Sequence, residues 1–303
     1  MKDRCCHRPP RVGCPLGATE GQGSKEEFQS RLPQINEYVS VVRTLRPIRW
    51  RDKCAWQTRC RAPTIVRPSL DALGLKGLGR ACALALAAEG VNVVICARGR
   101  DALESTAREI TSAGGTVHVI VADVADAGVP GYLVETAVGR FGALDILVGN
   151  GGGPPAVRAL EVDDAALARA LNENLQAMVR LVRAAVPGMA ASRWGRICLI
   201  TSSAVKEPMP ALALSNTART GLWAWAKTAA QDLRQHGVTL NLACPGYHAT
   251  DRLKAIGGAP DGLLAGDPAD FGKIVAFLCS EPAGFVSGAA LQVDGAQSVL
   301  GLL

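Results

Sequence analysis

The octapeptide LSNTARTG, Leu214 to Gly221, carries a serine and an arginine four residues apart, Ser215 and Arg219. That spacing puts both side chains on one face of a helix. A serine hydroxyl does not ionise usefully near neutrality, so Ser215 can relay a proton from water or a sugar hydroxyl but cannot act as a tuned acid. Arginine keeps its proton, so Arg219 can hold hydroxyls and stabilise a developing alkoxide. The chemistry open to such a pair is proton relay beside fixed positive charge. Other candidates lie along the chain. His248, next to Tyr247 in PGYHATD, titrates in the useful range, and Lys206 and Glu207 follow closely on Ser202; all four read first as loop or substrate-contact residues. Asn174 falls in the stripe Leu171, Asn174, Met178, Leu181, Ala185, where a buried amide must find partners.

A second stretch speaks of phosphate. GLGRACALALAAEG opens a helix with Gly77 and Gly79, a spacing that lets backbone amides and the positive helix end approach a pyrophosphate. The strand that follows, VNVVICAR, ends on Arg98 rather than on a carboxylate, with Arg100 two residues on. An acid there would accept the ribose hydroxyls of NAD(H), whereas an arginine accommodates the 2′-phosphate of NADP(H). NADP(H) is therefore the expected cofactor, NAD(H) the less favoured one, and Lys76 is a candidate second phosphate contact.

These residues need a scaffold that brings distant segments together. From Gly77 onward, the apolar runs VNVVICA, TVHVIVA, LDILVG, RICLIT and VTLNLA alternate with helical patterns. Such runs are typical of strands buried on both faces of a parallel sheet. The helical patterns include the segments from Val162 to Met189 and from about Leu212 to Gln235. Strand, helix, strand, repeated with right-handed crossovers, builds an α/β fold, a doubly wound Rossmann-type parallel sheet in a single domain. Residues 63–303 are assigned to it. Residues 1–62 mix Arg, Cys, Pro, Gln and Trp without periodicity apart from INEYVSVV, and are read as a basic, disordered extension.

Composition sets bounds on partners. The chain is 48% hydrophobic with 33 glycines and 20% charged residues, enough apolar material for a substantial core. Its net charge of +6 is local: residues 1–68 carry 14 Lys+Arg against 6 Asp+Glu, and the remainder is net −2. No compact motif organises the leader's arginines for groove or phosphate reading, so no nucleic-acid partner is expected. The ten cysteines include no Cys-x-x-Cys pair, and Cys5, Cys6, His7 and Cys14 lack a second ligand pair at zinc spacing. No metal site is expected; Cys82, Cys96, Cys198, Cys244 and Cys279 read as small buried hydrophobes in a reducing cytoplasm. No apolar run approaches membrane-span length, and MKDRCCHRPPRVG lacks a signal-peptide core. Neither membrane insertion nor secretion is expected.

From Lys76 to the C-terminus the sequence resembles the short-chain dehydrogenase/reductases, most closely the 3-oxoacyl-(acyl carrier protein) reductase-like branch. The pieces that carry the resemblance are KGLGRA, Asp123 in ADVAD, LVGNGGG with Asn150 and Gly152, Asn174 in NENLQAM, RICLITSS with Ser202, CPGYHATD with Pro245, Gly246 and Thr250, and LQVDGAQ. The resemblance implies that Asp123, Asn150, Gly152, Pro245, Gly246 and Thr250 line the cofactor. It implies that Ser202 polarises a carbonyl and that Asn174 supports a proton relay. It also implies a small-molecule carbonyl or alcohol substrate, and a homotetramer or homodimer built on the two long helices. In that family a tyrosine gives the proton and a lysine one turn later lowers its pKa. Here those positions are Ser215 and Arg219, and the residues four beyond Tyr38, Tyr132 and Tyr247 are Val42, Thr136 and Asp251, so no tyrosine–lysine pair exists.

The N-terminal glycine motif also departs. Ala72 and Leu73 stand where the family begins its loop, and Pro68 and Asp71 fall where a buried central strand is expected, although proline cannot donate to a ladder. The extra length and this conflict motivate the expectation that residues upstream of about Leu73 derive from a misassigned start, a frameshift or a divergent exon. Native peptides from residues 1–62 in a mass spectrum would refute it. The expected function is an NADP(H)-dependent oxidoreductase with an atypical Ser/Arg site. The alternatives are a cofactor-binding homologue with impaired catalysis, or a damaged paralogue.

Overall fold

The computed structural model describes the backbone of residues 64–66 and all of residues 77–255, 257–260 and 262–298. Residues 1–62 with INEYVSVV, and Pro68, Asp71, Ala72, Leu73 and Lys76, lie outside the described residues. The described strands are β1 (Thr64–Val66), β2 (Val93–Ala97), β3 (Val117–Val121), β4 (Ile146–Asn150), β5 (Gly195–Ile200), β6 (Val238–Pro245) and β7 (Ala290–Val293). They form one sheet in the order β3-β2-β1-β4-β5-β6-β7, with every pair parallel. The helices are α1 (Leu78–Ala88), α2 (Arg100–Ser112), α3 (Val129–Phe141), α4 (Asp164–Leu171), α5 (Ala177–Ser192), α6 (Ala213–Leu233), α7 (Asp251–Ala255) and α8 (Pro268–Leu278). This is the doubly wound α/β fold expected from the alternation of runs.

The apolar runs form strands because each side chain has a hydrophobic layer to enter on either face. Alternation within a strand sorts them: Val94, Cys96, Leu147, Ile197, Leu199, Leu240 and Leu242 enter one core with Leu181, Met178 and Leu222. Val93, Ile95, Ile146, Val148, Cys198 and Ile200 enter the other with Leu86, Leu103, Phe271 and Val275. Trp223 and Trp225 are partly buried against the first of these cores. Strand β3 departs from the expectation of burial on both faces. It is an edge strand of the sheet, so only one of its five residues is fully buried and Val121 is 40% exposed. The five cysteines among the described residues, Cys82, Cys96, Cys198, Cys244 and Cys279, are free thiols in the interior. Burial pushes Cys82 well up and Cys198 up to about 12, so they are packing groups rather than nucleophiles.

Three further details differ from the linear reading. Strand β1 is only Thr64–Val66, yet it occupies the centre of the sheet between β2 and β4. The segment from Val162 to Met189 is not one helix: α4 passes into α5 through a π-turn at Asn172–Gln176. On the outer side, α8 packs so closely on α1 that a Cβ on Gly272 would sit 2.4 Å from the Ala81 carbonyl oxygen. The two ends of the chain's alternating pattern are thereby locked together. No helix among the described residues is long and apolar enough to cross a membrane.

Candidate functional site

In a doubly wound sheet, the chain leaves β1 for one edge and returns at β4 to build the other. The loops after those two strands diverge and leave a crevice at the carboxyl ends. The cleft found there is open and is lined by Gly77 and Leu78, by Asn150, Gly151 and Gly153 after β4, and by Thr201 and Ser202 after β5. Ser215 and Arg219 of α6, and Pro245, Gly246, Tyr247, His248, Thr250, Asp251 and Arg252 after β6, complete it. Of the residues singled out from the sequence, Gly77, Asn150, Ser202, Ser215, Arg219, Pro245, Gly246 and Thr250 therefore meet at one place.

The others sit around it. Gly79 is buried one turn into α1. Arg98 and Asp123 follow β2 and β3 and face each other at 3.6 Å, with the Arg98 side chain 48% exposed. Gly152 lies just behind the wall that Gly151 and Gly153 form. Asn174 is buried in the π-turn, a helix irregularity frequent at functional sites. Its Nδ2 donates to the Ala170 carbonyl at 3.3 Å.

The Ser215–Arg219 face is now explicit. Both residues are buried and both reach the cleft. The Ser215 hydroxyl has no hydrogen-bond partner among the described residues, so it is available to whatever enters. Arg219 points differently: Nη1 donates to the Thr201 carbonyl, while Nη2 donates to the Gly151 carbonyl at 3.1 Å and Asn174 Oδ1 at 3.4 Å, with Gly152 O at 3.5 Å. The guanidinium thus ties the ends of β4 and β5 to the π-turn. It brings positive charge to the cleft while directing these donors into protein oxygens.

Across from it, Ser202 accepts from Ala204 N at 3.2 Å and caps the short 3₁₀ turn Ser203–Val205, which leaves its own O–H to donate. Thr250 Oγ1 accepts from Leu253 N and starts α7. His248 rests its ring edge-on against Phe271 at 5.2 Å, with Nδ1 facing the Gly246 carbonyl at 3.2 Å. Burial pushes the imidazole pKa down, outweighing the Gly246 carbonyl and the Asp267 and Asp294 charges that favour protonation.

Two features fit a bound dinucleotide. The N-terminus of α1 begins at extended Gly77 with no side-chain cap and no acid in its first turn, so its first N–H groups are donors awaiting an acceptor. Asn150 is 4% exposed and its Nδ2 finds no partner among the described residues, although it stands at the cleft wall. A buried amide left over in this way marks a place for a ligand hydroxyl. Sequence reasoning gave no individual role to Thr201, Gly153, Asp251 or Arg252, although the segment from Arg252 to Gly266 reads as substrate-covering. Arg252 was within reach, since it immediately follows PGYHATD.

Comparison with known proteins agrees with this fold. Residues 74–260 match the profile described as short chain dehydrogenase. An uncharacterized oxidoreductase of Mycobacterium tuberculosis (strain CDC 1551 / Oshkosh) is 35% identical over 234 residues, 73% of this chain and 88% of that one. A 3-oxoacyl-[acyl-carrier-protein] reductase of Synechocystis sp. is 31% identical over 229 residues, 73% and 92% of the two chains. The chain belongs to the short-chain dehydrogenase/reductase family. Among solved structures, YwfH, an NADPH dependent reductase involved in bacilysin biosynthesis, superposes with a TM-score of 0.73 at 23% identity, covering 79% of this chain and 100% of the other, and shares the fold. A hydroxysteroid dehydrogenase from Escherichia coli gives a TM-score of 0.68 at 26% identity over 77% and 95% of the chains.

Proposed function

We propose that this protein is an NADP(H)-dependent oxidoreductase acting on a ketone or alcohol through a serine-based site. The observation that carries the reading is the convergence, in one cleft at the switch point, of an uncapped helix N-terminus, the unpartnered Asn150 amide, and two hydroxyls, Ser202 and Ser215, beside the Arg219 charge. The α1 N-terminus with Gly77 holds the pyrophosphate, Asn150 and Thr250 hold neutral groups of the cofactor, and half-exposed Arg98 holds the 2′-phosphate. When bound, the nicotinamide supplies or accepts the hydride. Ser202 donates to the substrate oxygen, and Ser215 passes the proton between that oxygen and water or a ribose hydroxyl. Arg219 holds the loops after β4 and β5 in register and adds positive potential where negative charge develops. Asn174 positions Arg219 through its Oδ1. The NADPH-dependent relative of known structure supports the cofactor choice.

A second reading, a cofactor-binding protein with impaired hydride transfer, is favoured by one observation: Arg219 directs its Nη groups into carbonyls rather than toward the cleft. Titration with NADPH and NADH, followed by nucleotide fluorescence, tests the binding half; tighter NADPH binding is expected, and no binding of either nucleotide refutes both readings. A carbonyl screen then separates them. Turnover that is slow but abolished by Ser215→Ala supports the active site proposed here. Binding without turnover, gained on Ser215→Tyr/Arg219→Lys, supports the impaired one.

A further inference from the structure

Arg252 stands in helix α7 on the cleft wall, half-buried, and reaches across to the loop after β4, where Nη2 donates to the Pro154 carbonyl at 2.8 Å. Its guanidinium lies flat against Gly153: a Cβ there would come within 2.7 Å of Nε and Nη2 and 2.8 Å of Cζ. The absence of a side chain at 153 is what lets the cation lie across the cleft. Among the described residues no carboxylate comes within salt-bridge distance of it. The adjacent Asp251, also on the wall, sits 3.6 Å from Lys254 instead. Three other described arginines do have one, with Arg80 on Glu109, Arg98 near Asp123 and Arg100 near Glu104. Arg252 thus offers a planar fork of donors, mostly unspent, to the interior of the cleft. Such a fork matches a carboxylate or phosphate.

The topology indicates whose anion it is. The cofactor's phosphates are assigned to Gly77 at the start of α1 and to Arg98 after β2. Arg252 bridges the loops after β4 and β6, on the other side of β1 in the sheet order. That is the side on which Ser202 and Ser215 hold the reacting oxygen. We propose that Arg252 binds an anionic group of the substrate, so that this site takes oxo acids, or oxo compounds bearing a phosphate, in preference to neutral ketones. The inference rests on the oxidoreductase reading above and adds the substrate class.

The test uses the full chain with NADPH and matched probes: 3-oxobutanoate against its methyl ester, and dihydroxyacetone phosphate against dihydroxyacetone. The charged member of at least one pair should show a KM about tenfold or more below its neutral partner, as a charge-assisted contact implies. Arg252→Gln should collapse that ratio toward unity, and Arg252→Lys should restore part of it, while NADPH binding stays the same in both variants. Equal KM values within both pairs in the unmutated protein would overturn the proposal. So would an Arg252→Gln variant that weakens NADPH binding and leaves the charged-to-neutral ratio intact, because the arginine would then serve the cofactor's phosphates. If no probe is turned over, the oxidoreductase reading fails by itself, and calorimetry with 3-hydroxybutanoate on the NADPH-loaded protein decides the arginine's role. Binding that is lost in Arg252→Gln upholds the anion site, and no binding overturns it.

Discussion

Replacing Arg219 by methionine keeps length and apolar bulk but removes the donors that tie together the Thr201 carbonyl, the Gly151 carbonyl and Asn174 Oδ1. A buried acceptor left without a partner costs about 1–3 kcal/mol. Thr201 and Gly151 border the cleft, so water can replace the lost donor at those two. Asn174 is 2% exposed and must bear most of its cost. Relief from desolvating a guanidinium offsets part of the total, since apolar replacement of a buried charge is often favourable. The sum is a net loss of roughly 1–2 kcal/mol, which corresponds to a fall of about 0.5 M in the urea midpoint for a chain of this size. Equilibrium urea unfolding followed by tryptophan fluorescence reads it, with Arg219→Lys expected to lie between the two because one ammonium cannot reach all three oxygens. An Arg219→Met midpoint equal to or above that of the unmutated protein would refute the view of Arg219 as a clamp, and with it the explanation of why the cation turns inward.

Other outcomes follow from the same geometry. Arg98→Ala should weaken NADPH by about tenfold while leaving NADH within twofold, the expected loss of one charged contact to the 2′-phosphate, measured by fluorescence titration; equal effects on both nucleotides would remove Arg98 from that role. Gly272→Ala forces a methyl against the backbone of Ala81 and should cost about 1–3 kcal/mol of stability, read by urea unfolding, and an unchanged midpoint would mean that α8 can move off α1 freely. Burial depresses the His248 pKa below its ordinary 6.5, so the unfolded chain binds more protons between the folded pKa and 6.5. Stability should therefore be full above that window and fall as pH drops through it. His118 is also depressed, by burial and by Arg140, and contributes in the same direction. His248→Gln should flatten the His248 part of this slope in urea midpoints taken from pH 8 to about pH 5, and an unaltered slope would show that the imidazole is not desolvated.

Much of the fold is readable in the linear chain because five apolar runs are continuous and the segments between them are helical. A run that is apolar on every residue has no solvent face, and a parallel sheet covered on both sides is the arrangement that accommodates several of them. The edge position of β3 is not readable, since an edge and a central strand can share one composition when the missing neighbour is a matter of strand order. Strand β1 is half hidden: the family resemblance implies a central strand just before the glycine motif, but the short run at Thr64–Val66 does not mark itself, and the pairing with β2 and β4 is what places it. The π-turn at Asn172–Gln176 preserves helical spacing closely enough that a stripe through Asn174 looks unbroken.

For the site, residue types and their spacing establish which groups are available: two serines, a permanent cation, a glycine-opened helix, an arginine after the second strand, and no tyrosine followed one turn later by lysine. They also establish that Ser215 and Arg219 share a helix face, because helical spacing is a local property. Where the cation is directed is a matter of how the elements pack. Whether Arg219 faces a ligand or the carbonyls of Thr201 and Gly151 depends on how far the ends of β4 and β5 stand from α6, a distance set by packing across the sheet. The same holds for Arg252, whose charge enters the cleft because Gly153, about a hundred residues earlier in the chain, leaves the space in which it lies. Hydrogen bonds across such separations are fixed by the meeting of whole elements, and no short window of sequence contains both partners.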